Sequence, residues 1–133
     1  MLEIALTVAM CSILAALAYW RNLLTAEGSA GAFAMGLVIG ILGGLEWVIV
    51  LLIFMLSSFA ATRYRFEAKR AMGQQEGNRG ERGLSNVVAN GLVACIAAAS
   101  HPWLGDKAAI LFLAAVAAAA SDTLASELGV LYP

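Results

Sequence analysis

Charge is the scarcest property of this chain. Only 13% of its 133 residues are Asp, Glu, Lys or Arg, against 62% hydrophobic. Soluble domains carry about 25% charge and roughly 45–50% apolar residues, so a water-soluble globular domain is excluded. The mean hydropathy of +0.84 agrees. Cysteine is nearly absent too. Cys11 and Cys95 sit alone in apolar runs, which argues against a disulfide framework or a Cys-based metal site and for small buried side chains. The single histidine, His101, stands beside Pro102 with no partner at ligand spacing and reads as a turn residue. There is no Walker motif, HExxH or nucleophile elbow. The basic segments are too short and too diluted by acids for a nucleic-acid surface. The N-terminus lacks a basic leader region and a small-residue cleavage motif, so the first apolar stretch is expected to be a retained span.

What the chain has is apolar length. Five apolar segments are expected to be helices, making an all-α polytopic transmembrane bundle as a single integral membrane domain. The spans fall near residues 4–20, 29–44, 47–64, 84–100 and 107–128, with a polar loop near 65–83. Trp20, Trp47 and Trp103, with Tyr19, Tyr64 and Tyr132, fall at segment ends, where amphipathic rings favour the membrane interface. Arg21, Arg63, Arg65, Lys69, Arg70, Arg79 and Arg82 lie in loops of one side, and only Lys107 on the other. The positive-inside rule then puts the N-terminus outside, with the 65–83 loop and the C-terminal end cytoplasmic. Gly28, Ala32, Gly36, Gly40 and Gly44 place a small residue at every fourth position, a helix-packing seam rather than a phosphate loop. The start of the polar loop, Arg65 to Met72, is expected to prolong the third helix.

Polar residues inside the last two spans carry the functional argument. An aspartate in the hydrocarbon layer costs roughly 2.5–3.5 kcal/mol, so Asp122 at the end of an alanine-rich run invites a role. The turn near His101–Asp106 is short, which makes the fourth and fifth spans antiparallel neighbours. Asn86 and Asp122 lie equally far from Leu104 and should share a depth, as should Arg82 and Ser126. From Lys107 to Asp122 the helix climbs about 22 Å, within a hydrocarbon core about 30 Å thick. Asn86 and Asn90 are one helical turn apart, as are Asp122 and Ser126, and Thr123 and Glu127. The expected result is a membrane-edge pocket of carboxylates, amides and hydroxyls rimmed by Arg79 and Arg82. Hard oxygen ligands suit Mg²⁺ with substrate phosphates, and arginines suit phosphate oxygens. A bland reading remains beside this one: asparagines that merely bond between helices, and a Glu127 solvated at a helix end.

Two motifs then bring a family into view. Gly80-Glu81-Arg82-Gly83-Leu84-Ser85-Asn86-Val87-Val88-Ala89-Asn90-Gly91 resembles the "RG…NVxANG" signature of a polytopic membrane family. Asp122-Thr123-Leu124-Ala125-Ser126-Glu127-Leu128-Gly129 resembles its "DTxASExG" signature. That family includes transmembrane protein 19 and the plant phytyl-phosphate kinase. The opening from Leu24-Thr25 to Gly36 is similar to its first loop and second span, so the resemblance covers most of the chain. It implies a membrane-embedded kinase converting a polyprenyl or phytyl monophosphate to the diphosphate, with a nucleoside triphosphate, CTP by analogy, as co-substrate. In that reading Asp122 and Glu127 hold Mg²⁺, Asn86 and Asn90 orient a phosphate or support the ligands, and Arg79 and Arg82, with Thr123 and Ser126, bind phosphate. Partners would be membrane lipids and the polyprenyl phosphate, with no nucleic acid. Family members continue into further spans with a loop resembling "PxGTNGG", which implies that this chain is a fragment, one piece of a split protein or a short form, joined by a C-terminal partner or by copies of itself. Two other classes stay open. One is a transporter or lipid-handling protein with a polar path through Asp122 and the asparagines. The other is a structural subunit whose small-residue faces dock a partner.

Overall fold

A computed structural model describes residues 1–132. Its helices are α1 (Leu2–Trp20), α2 (Ala26–Leu42), α3 (Leu45–Arg63), α4 (Phe66–Ala71), α5 (Leu84–Ala99), α6 (His101–Leu104) and α7 (Asp106–Gly129). There is no strand among the described residues, and the chain is an all-α membrane bundle. α1, α3 and α7, at 19, 19 and 24 residues, are long and apolar enough to cross a membrane. α2 and α5 are apolar but shorter, at 17 and 16 residues, about 25 Å each.

The five long helices alternate in direction. At one end His101 Nδ1 lies 2.7 Å from the carbonyl of Leu42, tying the turn after α5 to the end of α2. At the other end the α1–α2 link meets the segment before α5. Arg82 N donates to Leu23 O and Thr25 N donates to Arg82 O, both at 3.0 Å. Thr25 caps α2 by accepting from Gly28 N at 3.0 Å. Gly28 is required here by contact: a Cβ would stand 2.7 Å from the Arg82 carbonyl. The first motif is thus anchored to the start of α2 before α5 begins. Every lysine and arginine except Lys107 lies at this end of the bundle, called the basic end below.

α2 is central, packing on α1, α3 and α5, while α7 packs on α3 and α5. The small-residue seam faces α1: a Cβ on Gly36 would stand 3.0 Å from Cys11 Sγ, and one on Gly40 would overlap Thr7. A core of Ile39, Ala94, Ala97, Ala98, Phe112 and Val116 joins α2, α5 and α7. Outward side chains such as Ile53, Val93, Ile96 and Ile110 are exposed and apolar, as a lipid-facing surface requires. Cys11 and Cys95 are free thiols. His101 opens the short helix α6 instead of lying in a plain turn, and sits against Trp47 with ring centroids 5.0 Å apart.

One expectation fails. The third helix does not run on past Arg63. Arg65 adopts a left-handed conformation (φ 50°), and α4 starts afresh after it. The break turns Lys69 back toward α3, where its ammonium donates to the carbonyls of Ala61 (2.7 Å) and Thr62 (3.3 Å). These late α3 carbonyls lack helical donors, and a fully buried cation satisfies them.

Candidate functional site

Groups from three helices meet at the basic end: the Ser58 carbonyl and Thr62 side chain on α3, Asn86 and Asn90 on α5, and Glu127 on α7. Arg82 stands among them, only 5% exposed. Its Nη1 donates to Asn86 Oδ1 at 3.2 Å, and Nη2 donates to Thr62 Oγ1 and to the Ser58 carbonyl. Thr62 in turn donates to Glu127 Oε1 at 3.1 Å. That oxygen lies 3.7 Å from Arg82 Nη2, while Lys69 Nζ pairs with Oε2 at 2.8 Å. Asn90 Nδ2 donates to Asn86 Oδ1 at 2.7 Å and to the Asn86 carbonyl at 2.9 Å. Asn86 Nδ2 donates to Glu76 Oε1 at 3.3 Å.

The electrostatics follow from burial. Desolvation pulls the Arg82 guanidinium below its ordinary value, and the charges of Glu127 and Glu76 pull it back. Arginine stays protonated in proteins, so the shift records a cation held in a poorly solvated place. Its Nε is buried and has no hydrogen-bond partner among the described residues. An orphaned donor on a buried cation is an unmet demand for an acceptor.

Arg82 also lines a cleft between α2, α3 and α5. Met35, Ile39, Leu51, Phe54, Met55 and Phe59 form its apolar length, and Arg82, Asn86 and Asn90 its polar end. An apolar cleft with a guanidinium and two amides in its lining is complementary to an amphiphile with an anionic head.

Of the residues singled out from the sequence, the structure brings together Arg82, Asn86, Asn90 and Glu127, with Thr123 buried one turn deeper on α7. Asp122, Ser126 and Arg79 do not join them. Asp122 and Ser126 are exposed and carry no side-chain hydrogen bond or ion pair among the described residues. Arg79 is exposed, and its contact is through the backbone, N to Glu81 Oε2 at 2.6 Å. Asp122 and Glu127, five residues apart on one helix, project about 140° apart, and both Glu127 oxygens are engaged. The two carboxylates therefore do not fit a shared Mg²⁺ site, and Asp122 alone offers an unengaged acid. No cluster of three His, Cys, Asp or Glu side chains suited to a metal occurs among the described residues.

Sequence reasoning missed Lys69, Thr62 and Glu76. Thr62 had a signal, the Ser58/Thr62 turn spacing in an otherwise apolar helix, the same pattern that marked Asn86 and Asn90. Lys69 and Glu76 had none, because the fold of the polar loop decides where they point.

Comparison with known proteins agrees with the membrane reading. An uncharacterised membrane protein of Methanocaldococcus jannaschii is 30% identical over 131 residues, covering 98% of this chain and 54% of its own length. One from Synechocystis is 35% identical over 118 residues, covering 84% of this chain and 45% of its own. The chain thus spans about half the length of the curated relatives it matches. No solved structure matches it. The pattern of the integral membrane protein family DUF92 extends over residues 9–133, nearly the whole bundle with both motifs, and the chain belongs to that family.

Proposed function

We propose that this chain forms the acceptor site of a membrane-embedded lipid-phosphate kinase, which converts an isoprenoid monophosphate to the diphosphate. The observation that carries the reading is the cleft whose apolar walls end at a buried arginine with an unpartnered Nε. An isoprenoid chain lies along the apolar lining, and its phosphate takes Arg82 Nε and the Asn86 amide, which Asn90 holds in place. Charge-assisted bonds from a guanidinium are about twice as strong as neutral ones, and the low local dielectric strengthens them further. Glu127 and Lys69 position Arg82 rather than meeting substrate. On the positive-inside rule this end faces the cytoplasm, where nucleotide is available.

Phosphoryl transfer depends largely on positioning and charge neutralisation, so no protein nucleophile is needed. An oxygen of the acceptor phosphate attacks the γ-phosphorus of the nucleoside triphosphate. The new P–O bond forms as the β–γ bridging bond breaks, leaving a nucleoside diphosphate, with CTP the favoured donor by resemblance. A polar transport path joining Asp122 to the asparagines finds less support, since Asp122 faces outward from the cluster.

The test uses the chain in lipid nanodiscs. Geranylgeranyl phosphate should bind, while geranylgeraniol and inorganic phosphate each bind far more weakly, because each fills half the site. Arg82→Gln should abolish the preference for the phosphorylated lipid. With Mg²⁺ and each nucleoside triphosphate in turn, diphosphate should form with at least one donor. No binding overturns the acceptor site; binding without product from any donor overturns the kinase.

A further inference from the structure

One contact within the cluster has no part in the chemistry above. Glu76 stands in the polar segment before α5, half-buried, and its Oε1 takes the Asn86 amide hydrogen at 3.3 Å. A carboxylate already occupies a donor that an incoming phosphate would use. Gly73 and Gly77 flank it with φ of +69° and +58°, left-handed values that glycine adopts without strain. Immediately downstream, Glu81 fixes the turn by accepting from the backbone N–H groups of Asn78 at 3.1 Å and Arg79 at 2.6 Å. Glu76 thus sits on a short arm between two glycines, ahead of a braced turn.

The charges balance with Glu76 in place. Lys69 and Arg82 supply two cations, Glu127 and Glu76 two anions. A further anion beside Arg82 would be repelled unless Glu76 left. Resting on the reading that the cleft holds a lipid phosphate, we propose that Glu76 is a specificity-determining residue, a built-in competing anion that a dianionic phosphomonoester displaces and a monoanionic phosphodiester does not. Replacing a bound carboxylate by another monoanion returns no net Coulomb attraction and still costs desolvation of the newcomer. A phosphomonoester carries about −1.5 to −2 at neutral pH and brings extra charge toward Arg82 and Lys69. Bulk phospholipids are phosphodiesters and far outnumber any lipid monophosphate. An apolar cleft open to every anionic head would be filled by the bilayer itself.

The experiment compares dodecyl phosphate with its methyl diester, binding to the whole chain in phosphatidylcholine nanodiscs at about pH 8, where the monoester is fully dianionic. The native chain should prefer the monoester by at least about tenfold, the factor set by about 1.4 kcal/mol. Glu76→Gln, which preserves shape and the loop, should bring the diester close to the monoester, while Glu76→Asp keeps the preference. Equal binding of the two ligands by the native chain overturns the proposal. So does an unchanged ratio in Glu76→Gln, or loss of all binding in that variant, which would make Glu76 a structural prop. Failure of every variant, and of the native chain, to bind either ligand removes the lipid-phosphate site itself and this inference with it.

Discussion

Glu127→Gln probes the centre of the cluster. The native carboxylate holds Lys69 at 2.8 Å, lies 3.7 Å from Arg82 and accepts from Thr62 at 3.1 Å. Lys69 is wholly buried, and its other partners are the neutral carbonyls of Ala61 and Thr62. Glutamine keeps the volume but removes the charge, leaving two buried cations without their shared anion. Breaking a buried pair by removing one partner costs about 3–5 kcal/mol. At roughly 2–4 °C per kcal/mol for chains somewhat above this size, the thermal midpoint should fall by about 10 °C, read by tryptophan fluorescence in detergent. A second variant separates charge from shape. Lys69→Met in the Glu127→Gln background removes the stranded ammonium, so the double variant should recover part of the loss. Residues in one ion-pair network show coupling of about 0.5–3 kcal/mol, and this pair should fall near the top of that range. Recovery is partial because Arg82 still lacks its acid. A Glu127→Gln variant within about 0.5 kcal/mol of the native chain, or an additive double variant, would refute the reading of Glu127 as the anchor of both cations.

Other substitutions follow from the same geometry. Gly40→Val drives a side chain into Thr7 and Val48 across the α1–α2–α3 contact and should cost about 1–3 kcal/mol by overpacking, whereas Gly83→Ala, with open space around it, should be nearly neutral in the same melt. Asp122→Asn should leave both the thermal midpoint and geranylgeranyl phosphate binding unchanged, since the side chain is exposed and stands apart from the Arg82 cluster. Burial pushes the Glu81 carboxyl upward, but the N–H groups of its own backbone, Arg79 and Asn78 outweigh it and hold the group below its ordinary value of 4.5. A depressed folded value means the turn's contribution is complete above that ordinary value and lost as pH falls through the lower, folded one; amide exchange at Asn78 and Arg79 should rise in that acid window and not between pH 6 and 8.

The helices were legible because their signal is local. Apolar runs set the helices, whereas the tie between the first motif and the start of α2 joins residues far apart in sequence and carried no local signal. The asparagine pair was legible for the same reason as the helices: one-turn spacing alone puts both on one face. Glu127 and Asp122 looked equivalent in sequence, each acidic on one helix end. Only packing decides between them, since α3 and α5 both contact α7 and the face they cover carries Thr123 and Glu127. A helix assigned only to the apolar class leaves that rotation open, because alanine lines so much of α7 that its apolar pattern favours no face. Lys69 and Glu76 were illegible for a different reason. Their positions depend on one left-handed residue, Arg65, and on a run of glycines, features whose effect is to let the backbone turn where periodicity gives no direction. The polar loop, which reads as solvated linker by composition, supplies both the buried cation that braces Glu127 and the acid that stands over the amides.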